Sequence, residues 1–289
     1  MGKICEPCEC SKARARKADL EDAVHKADFS DAAYAAENGK SPETIQGYRN
    51  ISNDPVALKK HGLKPEDLKI PGTNFTAVVY EKGDQAVVAY KGTTSWLGSD
   101  MAANAKQALD IRDGNAPTEY YNRAQEIARK MAAQSRERGT PMPEFVGHSL
   151  GGGLASAAAQ AVGAPATIFN PAGLNPGTVT GPMSGAPVTA VKVAGEIVSG
   201  AVNKLPGLPD AYSTRDLMLD PPLSFGRDIL MKGVGALIGA GMGGPWGSLG
   251  GLAAAKLIRS GLLHMMSNVR DALSNEIKKA DRAIAKYCG

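Results

Sequence analysis

Apolar and polar positions divide the chain into stretches of two different periods. From Ala18 to Glu37 the residues Leu20, Val24, Ala27 and Tyr34 recur at helical spacing and Gly39 supplies a stop, which predicts a helix over 18–37. Phe75–Tyr80 and Gln85–Tyr90 are β-branched and aromatic runs on either side of Lys82-Gly83-Asp84, the pattern of a hairpin. Helices are predicted over about 96–109 and 117–138, a short strand over Pro143–Val146 and a further helix over Leu150–Val162. Ala166–Phe169 and Val188–Val193 read as buried strands separated by a Gly/Pro-rich loop at 170–187. A last helix is predicted over 267–286. Strands alternating with helices predict an α/β fold, its mixed sheet parallel at the centre and flanked by helices. Residues 1–17 read as a flexible arm and 18–289 as one domain.

Composition narrows the class. The 289 residues are 43% hydrophobic and 21% charged, which excludes wholesale disorder and a many-span membrane protein. A chain this long can bury a sizeable core. The net charge of +4 is too small to point to nucleic acid, although both ends are mildly basic. Lys3, Lys12, Arg14, Arg16 and Lys17 outweigh Glu6 and Glu9, and six basic side chains face three acidic ones over 259–286. Such ends suit a solvated arm or anionic lipid headgroups equally. The first 20 residues hold no apolar run, so no classical signal peptide is expected, and Glu6 spoils the myristoylation pattern that Met1-Gly2 begins. Cys5, Cys8 and Cys10 are crowded near one end and Cys288 lies at the other. A partial metal site, disulfides within the arm and idle thiols all remain open.

The chemistry is concentrated at Gly147-His148-Ser149-Leu150-Gly151, a G-x-S-x-G sequence set between an apolar strand and an Ala-rich helix. That context is the nucleophile elbow, where small flanks let neighbouring chain approach a serine in a strained turn. The N-terminus of the helix beginning at Leu150 points at Ser149 and favours a developing oxyanion. A serine hydroxyl needs a base. Of the four histidines, His25 and His61 precede the serine and His148 adjoins it and is expected to project away; the order serine, acid, histidine leaves His264. The acid belongs after a later strand. Glu196, on the Gly-marked loop after Val191–Val193, is the leading candidate, with Asp210, Asp216 and Asp220 as competitors.

Three stretches resemble the class 3 lipase family of α/β-hydrolases, in particular its bacterial branch of phospholipase-type effectors. Lys91-Gly92-Thr93-Thr94-Ser95-Trp96 resembles the family's R-G-[ST] oxyanion segment. Gly147–Gly152 reads G-H-S-L-G-G, and Gly195-Glu196-Ile197-Val198 with Leu205-Pro206 resembles the D-x-V…L-P stretch that carries the acid. Lys91 stands for Arg, Glu196 stands for Asp, and the aromatic residues expected after the histidine are absent. The resemblance implies an oxyanion hole from the backbone N–H groups of Thr93 and Leu150, and a Ser149–His264–Glu196 triad. It implies hydrolysis of lipid esters, with a phospholipid substrate at a membrane surface and no metal or cofactor. An antibacterial effector of this kind would also need a cognate immunity protein and a secretion machine, being made in the cytoplasm and exported by a non-classical route.

One further segment is distinctive. Residues 233–255 carry no charge, and Gly235, Gly239, Gly243, Gly247 and Gly251 recur at every fourth position. That spacing lets helix backbones approach closely. With nine glycines and Pro245 at its centre, the segment reads as two short helices, about 227–241 and 248–262, forming a lid or a packed hairpin. A membrane-inserting toxin with a decayed hydrolase core is the alternative function from another class, and a small-ester esterase or acyltransferase is a third.

Overall fold

The computed structural model describes residues 6–92, 116–196, 210–222 and 263–288. Eight strands form one sheet in sequence order: β1 (Thr44–Ile45), β2 (Tyr48–Asn50), β3 (Ala77–Lys82), β4 (Gln85–Tyr90), β5 (Glu144–His148), β6 (Ala166–Phe169), β7 (Val188–Val193) and β8 (Arg215–Leu219). β1 through β4 pair antiparallel with one another, and β4 through β8 pair in parallel. The hairpin joins β3 to β4 in register Lys82↔Gln85, leaving a two-residue loop whose first member, Gly83, has φ 59°. A primed turn requires that sign, and it matches the twist of the flanking strands.

Helices cover both faces. α2 (Pro55–Lys60), α3 (Ala116–Arg138) and α4 (Leu150–Val162) lie against one face, where Ile127, Met131, Leu154 and Ala158 pack with Val79, Val88 and Phe145. The other face is covered by α1 (Glu6–Ala35) and α5 (Met266–Tyr287), which bring Leu20, Ala27, Val269 and Leu273 onto Val78, Val87, Val146 and Val191. Alternate residues along β3 and β4 therefore feed two separate cores, as the period of a strand dictates.

The helix expected from Ala18 begins instead at Glu6, so the arm at 1–17 is helical from that residue onward. Its partners are distant in sequence. A disulfide joins Cys10 to Cys288, Arg16 meets Glu276 at 3.3 Å, and Lys17 meets Asp281 at 2.7 Å. Farther along, Arg270 bridges Asp28 and Asp31 at 2.8 and 2.5 Å, so α1 and α5 run antiparallel with matched ends. No local pattern in 6–17 carries an apolar stripe, and the tertiary partner supplies what propensity does not. α1 passes through a 3-10 turn at Ala36–Asn38 and stops at Gly39, φ 65°. Two short strands in the supposed connector, β1 and β2, and the far edge strand β8 add to the elements expected. The segments 96–109 and 227–262, read as helices, lie outside the described residues, as does Thr93.

Candidate active site

β5 runs into Ser149 and then α4, and the serine adopts φ 59° and ψ −125°. Left-handed backbone at a non-glycine residue is costly and must be held by its surroundings. The surroundings here are backbone. Ser149 N–H donates to the Phe169 carbonyl at 3.0 Å, and its own carbonyl accepts from Gly152 and Ala172 N–H, each at 2.9 Å. The flanking glycines are dictated by the same crowding, since a Cβ on Gly147 would strike the Gly151 carbonyl and one on Gly151 would strike that of Tyr90. Leu150 begins α4, so its N–H belongs to the first turn of a helix, whose donors have no partner within the helix.

Beyond β7 the chain turns at Gly195, φ 82°, and presents Glu196. Its Oε2 lies 2.6 Å from Nδ1 of His264, with both side chains at most 1% exposed. A carboxylate there accepts the Nδ1 proton, fixes the tautomer and leaves Nε2 as the basic nitrogen. Two of the three competing carboxylates are engaged elsewhere, and the third, Asp210, is exposed. Asp216 accepts from Lys192 at 2.9 Å and from Ser213 at 2.7 Å, and Asp220 pairs with Lys279 at 2.5 Å. Of the other histidines, His25 is exposed and His61 meets Glu81 at 3.2 Å.

His148, expected to project away, is instead part of the site. Its ring lies 4.7 Å from that of His264, and Nε2 is 2.6 Å from the His264 carbonyl oxygen. Nδ1 meets the Tyr34 hydroxyl at 2.7 Å. Burial, with the adjacent His264 ring acting the same way, pushes the His148 imidazolium down to about 3, so the ring stays neutral. The signal lay in the motif itself, because the residue before an elbow serine ends a central strand and cannot leave the interior.

Lys91, in the segment matched to the oxyanion strand, is buried and meets Glu37 at 2.9 Å. Beside it opens a cavity of about 590 Å³, bordered also by Lys69, Ile70, Asn74 and Phe75. It lies where β4 ends, and Ser149, Glu196 and His264 do not border it. Among the described residues, no group of His, Cys, Asp and Glu is placed to hold a metal ion.

A strained serine between a central strand and a glycine-lined helix, on a mixed sheet covered on both faces, defines an α/β-hydrolase. Residues 25–206 match the sequence model of a Tle-like phospholipase domain. The chain belongs to that phospholipase-like family. An extracellular phospholipase A1 from Serratia liquefaciens is 35% identical over 129 residues, which are 45% of this chain and 36% of that protein. The chain thus aligns with little more than a third of that relative's length. Solved structures with a similar fold include a triacylglycerol lipase from Penicillium expansum, at TM-score 0.49 and 14% identity, covering 71% of this chain and 81% of the other. A Rhizomucor miehei lipase–propeptide complex is similar at TM-score 0.41 and 12% identity, covering 65% and 64%.

Proposed function

We propose that this protein is a serine carboxylester hydrolase that releases fatty acid from phospholipid, with Ser149 as nucleophile, His264 as general base and Glu196 as the acid that orients it. The observation that carries the reading is the sealed Glu196–His264 pair, whose basic partner lies beside the residue that leads into a strained, glycine-flanked serine. Family membership and the name of the Serratia relative support phospholipid as the substrate class.

In this mechanism His264 takes the Ser149 proton through Nε2 while Ser149 Oγ attacks the acyl carbonyl. Glu196 stabilises the imidazolium that results. The oxyanion is held by the Leu150 N–H at the head of α4 and by the Thr93 N–H. His264 then protonates the departing lysolipid oxygen, and water repeats the sequence to free the fatty acid.

The protein acts as an exported antibacterial effector, checked in its producer by an immunity protein. The extracellular relative supports the export part of this reading, as does the Cys10–Cys288 disulfide, since such bonds persist in oxidising compartments.

Purified protein is tested on mixed phospholipid vesicles with product analysis by mass spectrometry, beside Ser149→Ala. Fatty acid and lysolipid should appear with wild type alone, and a fluorophosphonate should label Ser149. Vesicle leakage unchanged by Ser149→Ala, without product, would replace the reading with a membrane-inserting toxin. Turnover of short-chain esters alone would make the protein a small-ester esterase.

A further inference from the structure

Leu263 and His264 are helical in backbone ahead of α5, and neither belongs to a strand of the sheet. Two buried side chains hold their backbone. The His264 carbonyl accepts from His148 Nε2 at 2.6 Å and from Asn170 Nδ2 at 3.2 Å, and Asn170 Nδ2 also reaches the Leu263 carbonyl at 3.2 Å. Asn170 Oδ1 accepts the Val193 N–H at 2.9 Å, in the strand that leads to Glu196. Since its partners are a backbone N–H and backbone carbonyls, they fix which way the amide points.

The proton positions follow by the same logic. A carbonyl only accepts, so His148 must carry its proton on Nε2, and Nδ1 must accept from the Tyr34 hydroxyl. Hydrogen bonds thus run one way, from Tyr34 through His148 to the His264 main chain. The phenol is held protonated by burial, with Asp31 adding to the effect. His148 faces Tyr34 from α1, the ring of His264 and, beyond it, the Glu196 carboxylate. A cation on His148 would lie against the imidazolium that forms on His264 during turnover, and a neutral ring avoids that repulsion.

We infer that His148 is a positioning residue, which with Tyr34 and Asn170 locks the His264 backbone to the nucleophile elbow and sets the aim of the catalytic base. This rests on the reading of Ser149, His264 and Glu196 as the reacting groups, and adds to it a second role for the elbow motif: the residue before the nucleophile holds the base. Loss of such supporting hydrogen bonds commonly costs about 10- to 100-fold in activity.

The test compares wild type with His148→Phe, His148→Gln and Tyr34→Phe on a soluble ester, with fluorophosphonate labelling rates alongside. Phe fills the ring's place without hydrogen bonds, whereas the Gln amide reaches about where Nε2 does. We expect kcat to fall about 10- to 100-fold in His148→Phe with KM unchanged, labelling to slow in parallel, and His148→Gln to recover most of the loss. Tyr34→Phe should lower kcat less, because only the donor to Nδ1 is removed. Nitrogen-15 NMR of histidine-labelled wild type should show His148 as the neutral Nε2–H tautomer at pH 5.

A folded His148→Phe as fast as wild type overturns the inference. So does equal loss in the Phe and Gln variants with KM rising in both, which marks a merely structural residue. An Nδ1–H tautomer or a charged ring at pH 5 also overturns it. Wild type that neither hydrolyses ester nor takes the label overturns the triad reading itself, and the NMR result then still reports whether the His148–His264 bond exists.

Discussion

Glu196 and His264 meet at 2.6 Å inside the protein, a carboxylate and an imidazole with almost no solvent between them. A buried carboxylate is tolerated when a hydrogen-bonded partner shares its charge, and His264 is that partner. Removing the charge while keeping the shape should therefore cost activity far more than structure. Glu196→Gln is expected to lower kcat about a thousandfold or more, because an amide can donate to Nδ1 and select the wrong tautomer. Glu196→Asp shortens the arm by one methylene and should lose less, about 10- to 100-fold. Steady-state kinetics beside circular dichroism decides it, and near-wild-type turnover in Glu196→Gln would remove Glu196 from the mechanism.

Strain at the nucleophile gives a prediction of opposite sign for stability. Ser149 is held at φ 59° and ψ −125°, which a residue with a Cβ adopts at a cost of about 1–3 kcal/mol. Glycine adopts it freely but gives up entropy on folding, which offsets about 0.5–1 kcal/mol. Ser149→Gly should hydrolyse nothing, yet be more stable than wild type by about 1 kcal/mol in urea denaturation. A destabilised Ser149→Gly would mean that the elbow is relaxed.

Much of this was legible in the sequence. The hairpin, the central strands and α3, α4 and α5 follow from period and turn residues, and Ser149, Glu196 and His264 follow from one motif, one Gly-marked strand end and the scarcity of histidines. What escaped was non-local. β1 and β2 are two and three residues long, too short to show alternation, and they exist because β3 offers an edge. The helix from Glu6 to Lys17 has no apolar stripe and depends on α5, more than 250 residues away. For His148 the motif signals burial at the end of β5, but which ring it meets depends on the placement of His264, which no local pattern carries.

The α1–α5 clasp yields a further test. Cys10–Cys288 closes nearly the whole chain into a loop, with a sequence separation of 278 residues. A crosslink over so long a loop removes much entropy from the unfolded chain, typically about 2–5 kcal/mol of stability. Cys10→Ser with Cys288→Ser should lower stability by that order and leave kcat of the folded protein unchanged. The ion pairs of Arg270 with Asp28 and Asp31 still join the helices near the site. Loss of kcat without loss of Tm would show that the disulfide acts on the site itself.

His148 makes stability depend on pH in a calculable direction. Its ordinary value is 6.5 and burial beside His264 lowers it to about 3 in the folded protein. Between these two values the unfolded chain binds a proton that the folded chain refuses, so stability is complete above about 6.5 and falls as pH drops toward 3. The slope from this one group approaches about 1.4 kcal/mol per pH unit. Glu144 and Asp31 act in the opposite sense, because burial raises both carboxyls and favours their protonated, folded forms in acid. Comparison with His148→Gln cancels those contributions. Wild type should be the more stable of the two at pH 7, and its lead should shrink by about 1 kcal/mol for each pH unit below 6, read from urea midpoints at pH 7, 6 and 5. A lead that stays constant across that range would mean that His148 takes up its proton in the folded protein, and that the ring is not the neutral link between Tyr34 and His264.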